Sequence, residues 1–426
     1  MQAVEIRNRD SGVAIRDSAI ASQSRNSKTE KPVLSEAKDR QSAIRETVRV
    51  LMVAGGTGGH IYPALAVAEE LRRRSANDGG IEFQIEFLGT KRSLENRVIP
   101  SAGFVLHAVE AQGLKGIRGW RRIQNFMALP RSSIESAMVL RKFQPQVVVG
   151  AGGYVAGPAM LEAALQDIPT LLIEPNAQSG FTSRAIAPLV RVVAAGFAET
   201  AVFFGDKAHL TGCPVRPVFH TLPPKEHRPP WTLLVMGGSQ GSHAINECVA
   251  RVYPALARKF EGLKLIHQTG EKDYAVMCAA YASALKSEGL QAGVDVRAFI
   301  DDVPAAMSEA DLVLSRSGAV TVTEIAVAGK AAIFVPYPQA ADQHQLANAR
   351  ALERVGGARI VEQRELTPER LAEEVGRLLS DPAALRGMEQ RAHQMARPDA
   401  AARIADLVEK LAGLRPGGKK RDEYAR

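Results

Sequence analysis

The chain has 426 residues, 46% of them hydrophobic and 23% charged, which is ordinary for a soluble globular protein and long enough for two or three domains. A formal charge of +8 favours anionic partners: nucleic acid, an anionic membrane surface or phosphorylated substrates. Cys213, Cys248 and Cys278 share no CxxC spacing and have no paired histidines, which argues for reduced, buried thiols of a cytosolic protein over a metal site or a disulfide framework.

Residues 1–47 mix charged and small polar residues without period, contain no aromatic side chain and lack the apolar core of a signal peptide. They are predicted to be a disordered extension, or a start placed too early, outside the fold. Residues 48–54 are an apolar strand running into GGTGGH (55–60), and a helix is predicted over 62–74 with Pro63 in its first turn. Strand, glycine turn, helix is the grammar of a phosphate cradle. The order is neither GxGxxG nor a Walker motif, so the loop says only that backbone must approach something closely. Strand-like runs follow at 85–88, 104–109, 147–150, 170–173 and 190–194, the third leading into AGGYVAGP (151–158). Strands alternating with helices predict a parallel sheet covered on both faces, so 48–216 reads as one Rossmann-like domain. No uninterrupted apolar run of about 18 residues occurs, so no membrane span is expected.

Residues 217–230 include LPPKEHRPP and read as a stiff linker. The same grammar then restarts over 231–396: a strand at 231–236, GGSQGS (237–242), a long helix, and strands at 263–267 and 294–299. Residues 311–348 form a complete βαβ unit. A strand at 311–314 turns through Ser315, Arg316, Ser317 and Gly318 into a helix over 319–328, and a strand follows at 331–335. A helix start at the carboxyl end of a parallel strand is where open α/β sheets bind anions. Glu324 lies too far along to cap that helix, and its carboxylate suits a ribose diol. An ordinary βαβ unit carrying a surface Glu satisfies the same pattern. Asp301 and Asp302 read as a solvated turn. Residues 397–414 are predicted to be a last helix packing back on the first domain, followed by a basic tail over 415–426.

In combination, GGTGGH (55–60), GGYVAGP (152–158), GGSQGS (237–242), FIDD (299–302), SRSGAVTVTE (315–324) and DQHQLAN (342–348) resemble the MurG family, glycosyltransferase family 28, over roughly residues 49–414. The resemblance implies an α/β, GT-B fold: two Rossmann-like domains facing each other across a cleft. It implies an inverting hexosyltransferase that moves GlcNAc from UDP-GlcNAc to the 4-hydroxyl of MurNAc in lipid I (undecaprenyl-pyrophosphoryl-MurNAc-pentapeptide), making lipid II. No cofactor, metal or nucleic acid is implied. The implied location is the cytoplasmic face of the inner membrane, held peripherally on its anionic surface, with other cell-wall synthesis proteins as partners.

The resemblance also assigns roles. Thr57, Gly58 and Gly59 lie over the transferred sugar and the acceptor pyrophosphate, and Asn176 contacts sugar and acceptor. Arg216 lines the donor site, and Ser239 belongs to the diphosphate loop. Ile300 offers its backbone to the uracil edge. Ala319, Val320, Thr321, Val322, Thr323 and Glu324 form the donor helix, and Gln345 reads the GlcNAc hydroxyls. Ile173 and Pro175 depart from the family's HEQN pattern. A base near neutral pKa is required, and His60 is the candidate; alternatively it orients the loop. Over 114–142, Trp120, Ile123, Phe126, Met127 and Leu129 stand among Lys115, Arg118, Arg121, Arg122, Arg131, Arg141 and Lys142. That pattern suits shallow insertion into an anionic leaflet, and equally a helix packed on the sheet. A glycolipid synthase, a UDP-sugar epimerase, a nucleotide-binding module and a dinucleotide oxidoreductase are the competing readings.

Overall fold

Continuous apolar runs make the centre of each sheet. Val147–Gly150, Thr232–Met236 and Leu312–Ser315 are buried at every position, the signature of parallel strands covered on both faces. The computed structural model describes residues 46–77, 80–91, 94–110, 120–153, 155–289, 293–415 and 419–420; the side chains of 77, 120–130, 341, 415, 419 and 420 lie outside that description.

The first sheet is built from β1 (Glu46–Val53), α1 (Gly58–Asn77), β2 (Ile81–Thr90), α2 (Glu95–Ser101), β3 (Val105–Val109), α3 (Trp120–Phe143), β4 (Val147–Gly150), α4 (Ala156–Leu165), β5 (Thr170–Glu174), α5 (Phe181–Ile186), β6 (Val192–Ala195), α6 (Ala198–Phe204) and β7 (Ala208–Leu210). Its seven strands are parallel, in the order β3-β2-β1-β4-β5-β6-β7. The second sheet comes from β8 (Thr232–Met236), α7 (His243–Lys259), β9 (Lys264–Gln268), α8 (Tyr274–Glu288), β10 (Val294–Arg297), α9 (Val303–Glu309), β11 (Leu312–Ser315), α10 (Ala319–Val327), β12 (Ala332–Phe334), α11 (His344–Arg354) and β13 (Arg359–Ile360). Its order is β10-β9-β8-β11-β12-β13, again parallel. Strand order reverses between β1 and β4, and between β8 and β11. Ligands of open α/β sheets bind at the carboxyl ends of strands at such points, and all four loops there are rich in glycine or serine.

Three helices follow the second sheet: α12 (Pro368–Leu379), α13 (Pro382–Met395) and α14 (Ala400–Leu411); after them β14 (Leu414–Arg415) pairs antiparallel with β15 (Lys419–Lys420), inside the predicted basic tail. Helix α14 leaves the second domain. Its Ile404, Ala405 and Val408 join the core of the first with Val67, Ala68 and Leu71 of α1. Arg74 fixes it there, donating to Asp406 and Glu409 at 2.8 Å and to Glu70 at 2.9 Å.

The structure corrects several boundaries. Strand β1 begins at Glu46, whose N–H donates to Gly80 O at 3.0 Å, so the last two residues assigned to the extension belong to the sheet. The rest of that extension lies outside the described residues, as do residues 114–119 and the side chains of Trp120 to Leu129 in the basic–apolar stripe. Helix α1 starts at Gly58, not near 62, and Pro63 stands inside it. The first N–H groups of a helix need no intrahelical partner, so the glycines can begin the helix themselves. Asp302 is a cap rather than a plain solvated turn, accepting from Ala305 N at 2.9 Å at the start of α9. Cys213 and Cys248 are buried, but Cys278 is half-buried. Among the described residues no helix is long and apolar enough to cross a membrane.

The linker is held by charge as well as by proline. His227 is fully buried, its Nδ1 3.0 Å from Asp311 Oδ1 and its Nε2 2.9 Å from Glu389 Oε2. Lys225 Nζ donates to Asp311 Oδ2 at 2.7 Å, as does Thr232 N. Burial alone would lower the pKa of His227, but the two carboxylates override it and raise it to about 9 from 6.5. A raised folded-state pKa stabilises the fold below the unfolded value and loses that contribution as pH climbs through the folded one. The stability advantage of the wild type over His227→Gln, measured by urea unfolding, is therefore expected to shrink by about 3 kcal/mol between about pH 6 and pH 10. A constant advantage would mean that His227 is neutral in the folded protein.

Candidate active site

The first wall of the cleft is the β1–α1 loop and the β4–α4 loop beside it. Glu95, buried at the start of α2, accepts from Gly56 N at 3.3 Å with each oxygen, from Thr90 N at 3.0 Å and from Thr90 Oγ1 at 2.6 Å. A Cβ on Gly55 would stand 2.8 Å from that carboxylate, and a Cβ on Gly153 (φ +82°) would overlap the Gly55 carbonyl oxygen. The two loops thus touch backbone to backbone. His60 lies on top of the contact. Its Nδ1 is 3.3 Å from Thr57 Oγ1, and a Cβ on Gly152 would meet its ring at 2.7 Å. Burial holds its pKa below the ordinary imidazole value; the charge of Glu174 and a hydrogen bond to the Gly55 carbonyl pull the other way.

The second wall is the β8–α7 loop and the β11–α10 turn. Gly238 (φ +91°) and Gly241 (φ +74°) carry the loop through the left-handed region, and a Cβ on Gly241 would overlap the Thr269 carbonyl. Gln268 Nε2 ties the loop down by donating to Gly238 O at 2.7 Å. Ser239 stands exposed at the tip. Helix α10 starts at Gly318 with no side-chain cap, so the N–H groups of its first turn are open to an anion. Arg316 lies beneath. It donates to Ser242 Oγ at 2.6 Å, Gln363 Oε1 at 2.7 Å, Val335 O at 3.0 Å and Pro336 O at 3.1 Å. All four acceptors are neutral, and burial lowers its pKa to about 10, still a cation at neutral pH. Its charge is therefore uncompensated by its hydrogen-bond partners, right beside the loop.

Among the contacts that join the walls, two lie at the site. Arg216 donates to Glu324 Oε1 from Nη2 at 2.9 Å and from Nε at 3.2 Å, with its guanidinium over the rings of Phe219 and, on α1, Tyr62. Glu324 is buried, which raises its pKa; Arg216 opposes that shift. Asn348 of α11 accepts from Ala177 N at 2.8 Å and donates to Asn176 Oδ1 and Ser317 O, each at 3.2 Å. Glu174 orients Asn176 in turn, accepting from its N at 3.1 Å and Nδ2 at 2.9 Å.

The predicted residues therefore fall into groups. Thr57, Gly58, Gly59 and His60 line one wall; Ser239, Ala319 to Glu324 and Gln345 belong to the other; Asn176 and Arg216 sit on the seam. Gln345 spends Oε1 on Tyr337 N at 2.9 Å, which leaves its amide NH₂ to donate. Ile300 stands apart. Its side chain is core and its N–H donates to Gln268 Oε1 at 3.1 Å, so only its carbonyl remains for a base edge. In the structure Glu324 is partnered by Arg216 rather than open to a diol. Sequence reading assigned no role to Glu95, Glu174, Gln268, Arg316 or Asn348. Among the described residues no group of three or more His, Cys, Asp or Glu side chains is arranged to hold a metal.

Two parallel Rossmann-like domains with glycine loops facing one cleft define the GT-B class of sugar-nucleotide enzymes. The chain belongs to glycosyltransferase family 28: residues 50–195 match its N-terminal domain and residues 232–404 its C-terminal domain. Proteins of Anaeromyxobacter sp. (strain Fw109-5) and Myxococcus xanthus (strain DK1622) are each 40% identical, over 88% and 84% of this chain and 97% and 92% of their own lengths. Both are described as UDP-N-acetylglucosamine--N-acetylmuramyl-(pentapeptide) pyrophosphoryl-undecaprenol N-acetylglucosamine transferase. The crystal structure of Acinetobacter baumannii MurG superposes with a TM-score of 0.68 at 33% identity, covering 85% of this chain and 99% of that one. A Neisseria meningitidis UDP-GlcNAc 2-epimerase shares the fold at 15% identity, with a TM-score of 0.62 over 85% of this chain and all of its own.

The contact between the loops is testable. Gly153→Ala should displace Gly55 and lower turnover at least about tenfold, since small misplacements of a reacting group are costly. UDP affinity, measured by calorimetry, should stay within about twofold, because the donor loops are on the other domain. Unchanged turnover would show that the two loops need not touch.

Proposed function

We propose that the cleft between the two sheets is where a UDP-sugar meets a lipid-linked acceptor. The chain is a hexosyltransferase: it moves GlcNAc from UDP-GlcNAc to the muramyl sugar of undecaprenyl-pyrophosphoryl-MurNAc-pentapeptide, converting lipid I to lipid II in peptidoglycan precursor synthesis. The observation that carries the site assignment is electrostatic. The uncapped start of α10, the β8–α7 loop and the neutral-partnered Arg316 converge on one point of the second wall, and His60 stands on the first wall, near enough to the second to feel the charge of His344.

Each group then has a task. The diphosphate takes the N–H groups at the start of α10 and the loop carrying Ser239, so that helix dipole and cations stabilise the charge growing on departing UDP. Glu324 accepts the ribose hydroxyls. Arg216, which shares its Oε1 in the structure, swings toward the phosphates as it is released. Gln345 donates to the GlcNAc hydroxyls, Asn176 steadies the sugar at the seam, and the carbonyl of Ile300 faces uracil. Thr57, Gly58 and Gly59 hold the acceptor pyrophosphate at the start of α1. His60, kept neutral by its lowered pKa, takes the proton of the 4-hydroxyl as it attacks the anomeric carbon from the face opposite UDP, with inversion. The epimerase shares only the fold and gives no reason to prefer its chemistry.

The enzyme works peripherally at the cytoplasmic membrane surface, with the described part of the basic–apolar stripe, residues 131–142, facing anionic lipid. Support comes from α3, where Ile134 and Met138 are 61% and 58% exposed one turn apart, between Arg131 and the exposed Arg141 and Lys142. Other cell-wall synthesis proteins would be met on the same surface.

A positioned base contributes ~10²–10⁴-fold, so His60→Ala should lower kcat by that range while UDP binding stays nearly intact. Activity should fall as pH drops through the pKa of His60, below 6.5, and this acidic limb should vanish in the variant. A His60→Asn enzyme with near-normal rate and its acidic limb preserved would reduce His60 to a loop-orienting residue. Ile134→Ser with Met138→Ser should release the protein from anionic vesicles in co-sedimentation, yet keep turnover of a short-chain, water-soluble acceptor. Unchanged sedimentation would move the membrane contact elsewhere.

A further inference from the structure

The seam between the domains continues beyond the reacting centre. A cavity of about 320 Å³ opens beside α11, lined on the first domain by Ala177, Gln178 and Glu199 and on the second by Gln343, just before that helix, and by one face of the helix, including Leu346 and Arg350. Asn176, assigned above to the sugars, is followed directly by Ala177 and Gln178, so the chain itself leads from the cleft into the cavity. Both walls are polar at the mouth. Arg354 pairs with Glu199 across the seam. Arg350 has a weaker partner: Glu362 lies 3.8 Å away, beyond hydrogen-bond range, and the Arg350 side chain is 57% exposed.

We propose that this cavity is a subsite for the peptide of the acceptor, with Arg350 taking a peptide carboxylate. The inference rests on the transferase reading above and adds to it a part of the acceptor that the sugar-binding groups do not touch. Three features point to a peptide. On a muramyl sugar the peptide hangs from the lactyl ether on the carbon next to the one that is glycosylated, so it must leave the cleft close to the reacting hydroxyl. Five extended residues span roughly 17 Å, and from Gln345, assigned above to the sugar, to Arg350 is only about 8 Å along the helix, so a carboxylate of that peptide can reach the guanidinium. The lining also matches the chemistry. The side-chain amides of Gln178 and Gln343 can donate to and accept from peptide groups, Leu346 and Ala347 give an apolar floor, and the fork of Arg350 fits a carboxylate. The nucleoside diphosphate has its own place at the start of α10, and the lipid pyrophosphate has its own at the start of α1, so neither requires this cavity.

The test compares two acceptors with the same short lipid and pyrophosphoryl-MurNAc, one bearing the pentapeptide and one ending at the lactyl amide. With the wild type, the pentapeptide acceptor should show the lower KM, by about tenfold, the size expected of a charge-assisted hydrogen bond at a partly exposed site. Arg350→Gln should raise the KM of the pentapeptide acceptor about tenfold and leave kcat, the KM of UDP-GlcNAc and the KM of the peptide-free acceptor unchanged. Arg350→Lys, which keeps the charge but loses the fork, should fall between. Equal KM values for the two acceptors with the wild type, a rise of the same size for both with Arg350→Gln, or no rise for either, would overturn the subsite. Failure of the transferase reading would look different: the wild type would turn over neither acceptor.

Discussion

The cleft depends on backbone passing backbone where no side chain fits. In the first domain the β4–α4 loop rides on the β1–α1 loop, and a methyl group on Gly153 would overlap the Gly55 carbonyl. In the second the β8–α7 loop rides on the segment after β9, and a methyl group on Gly241 would overlap the Thr269 carbonyl. The first contact sits at the reversal of strand order, between β1 and β4; the second lies beside the reversal, between β8 and its other neighbour β9. They set where the helix starts point, and with them where an anion can be held. The supporting groups are satisfied polar side chains with little freedom to drift: Glu95 under the first loop, Gln268 and Arg316 under the second.

The seam is built differently, from charges and amides that can exchange partners. Arg216 and Glu324 hold each other in the structure, and Glu324 bears the cost of burial, which raises its pKa while Arg216 opposes the rise. A ligand that offers hydroxyls to the carboxylate and phosphate to the guanidinium can replace both halves of that pair at once. Asn348 acts as the fixed point. It is completely buried and bonded to both domains, so opening the seam there would strand polar groups. Rigid loops on either wall, with an exchangeable ion pair between them, suit a cleft that must admit two substrates and expel water between them.

Much of this was legible in the sequence, for identifiable reasons. Glycine loops after apolar strands are local signals, so GGTGGH, GGSQGS and SRSG could be placed at strand ends from the order of residues alone, and their combination pointed to the family. What could not be read was any contact made by residues far apart in the chain. Glu95 sits in a run resembling any exposed helix start, and only the fold brings it 39 residues back to Gly56. Asn348 could be quoted as part of a motif but not as a bridge, because its partners are Ala177 and Ser317. Arg316 looked like a turn residue, and its neutral partners lie on three other segments. The predicted start of α1 falls four residues late because proline at a first turn is a start signal, whereas Gly58 and Gly59 before it already have helical backbone.

In the proposed mechanism one cleft brings a UDP-sugar and a muramyl acceptor together, with His60 and the departing diphosphate on opposite faces of the anomeric carbon. Its most direct test is the stereochemistry of the product formed from UDP-GlcNAc and a short-chain lipid I analogue, read from the H1–H2 coupling of the new linkage by NMR. A single β-1,4-linked disaccharide with the large coupling of a trans-diaxial pair is expected. An α-linked product, or a UDP-sugar epimerised at C2 with the acceptor untouched, would contradict it.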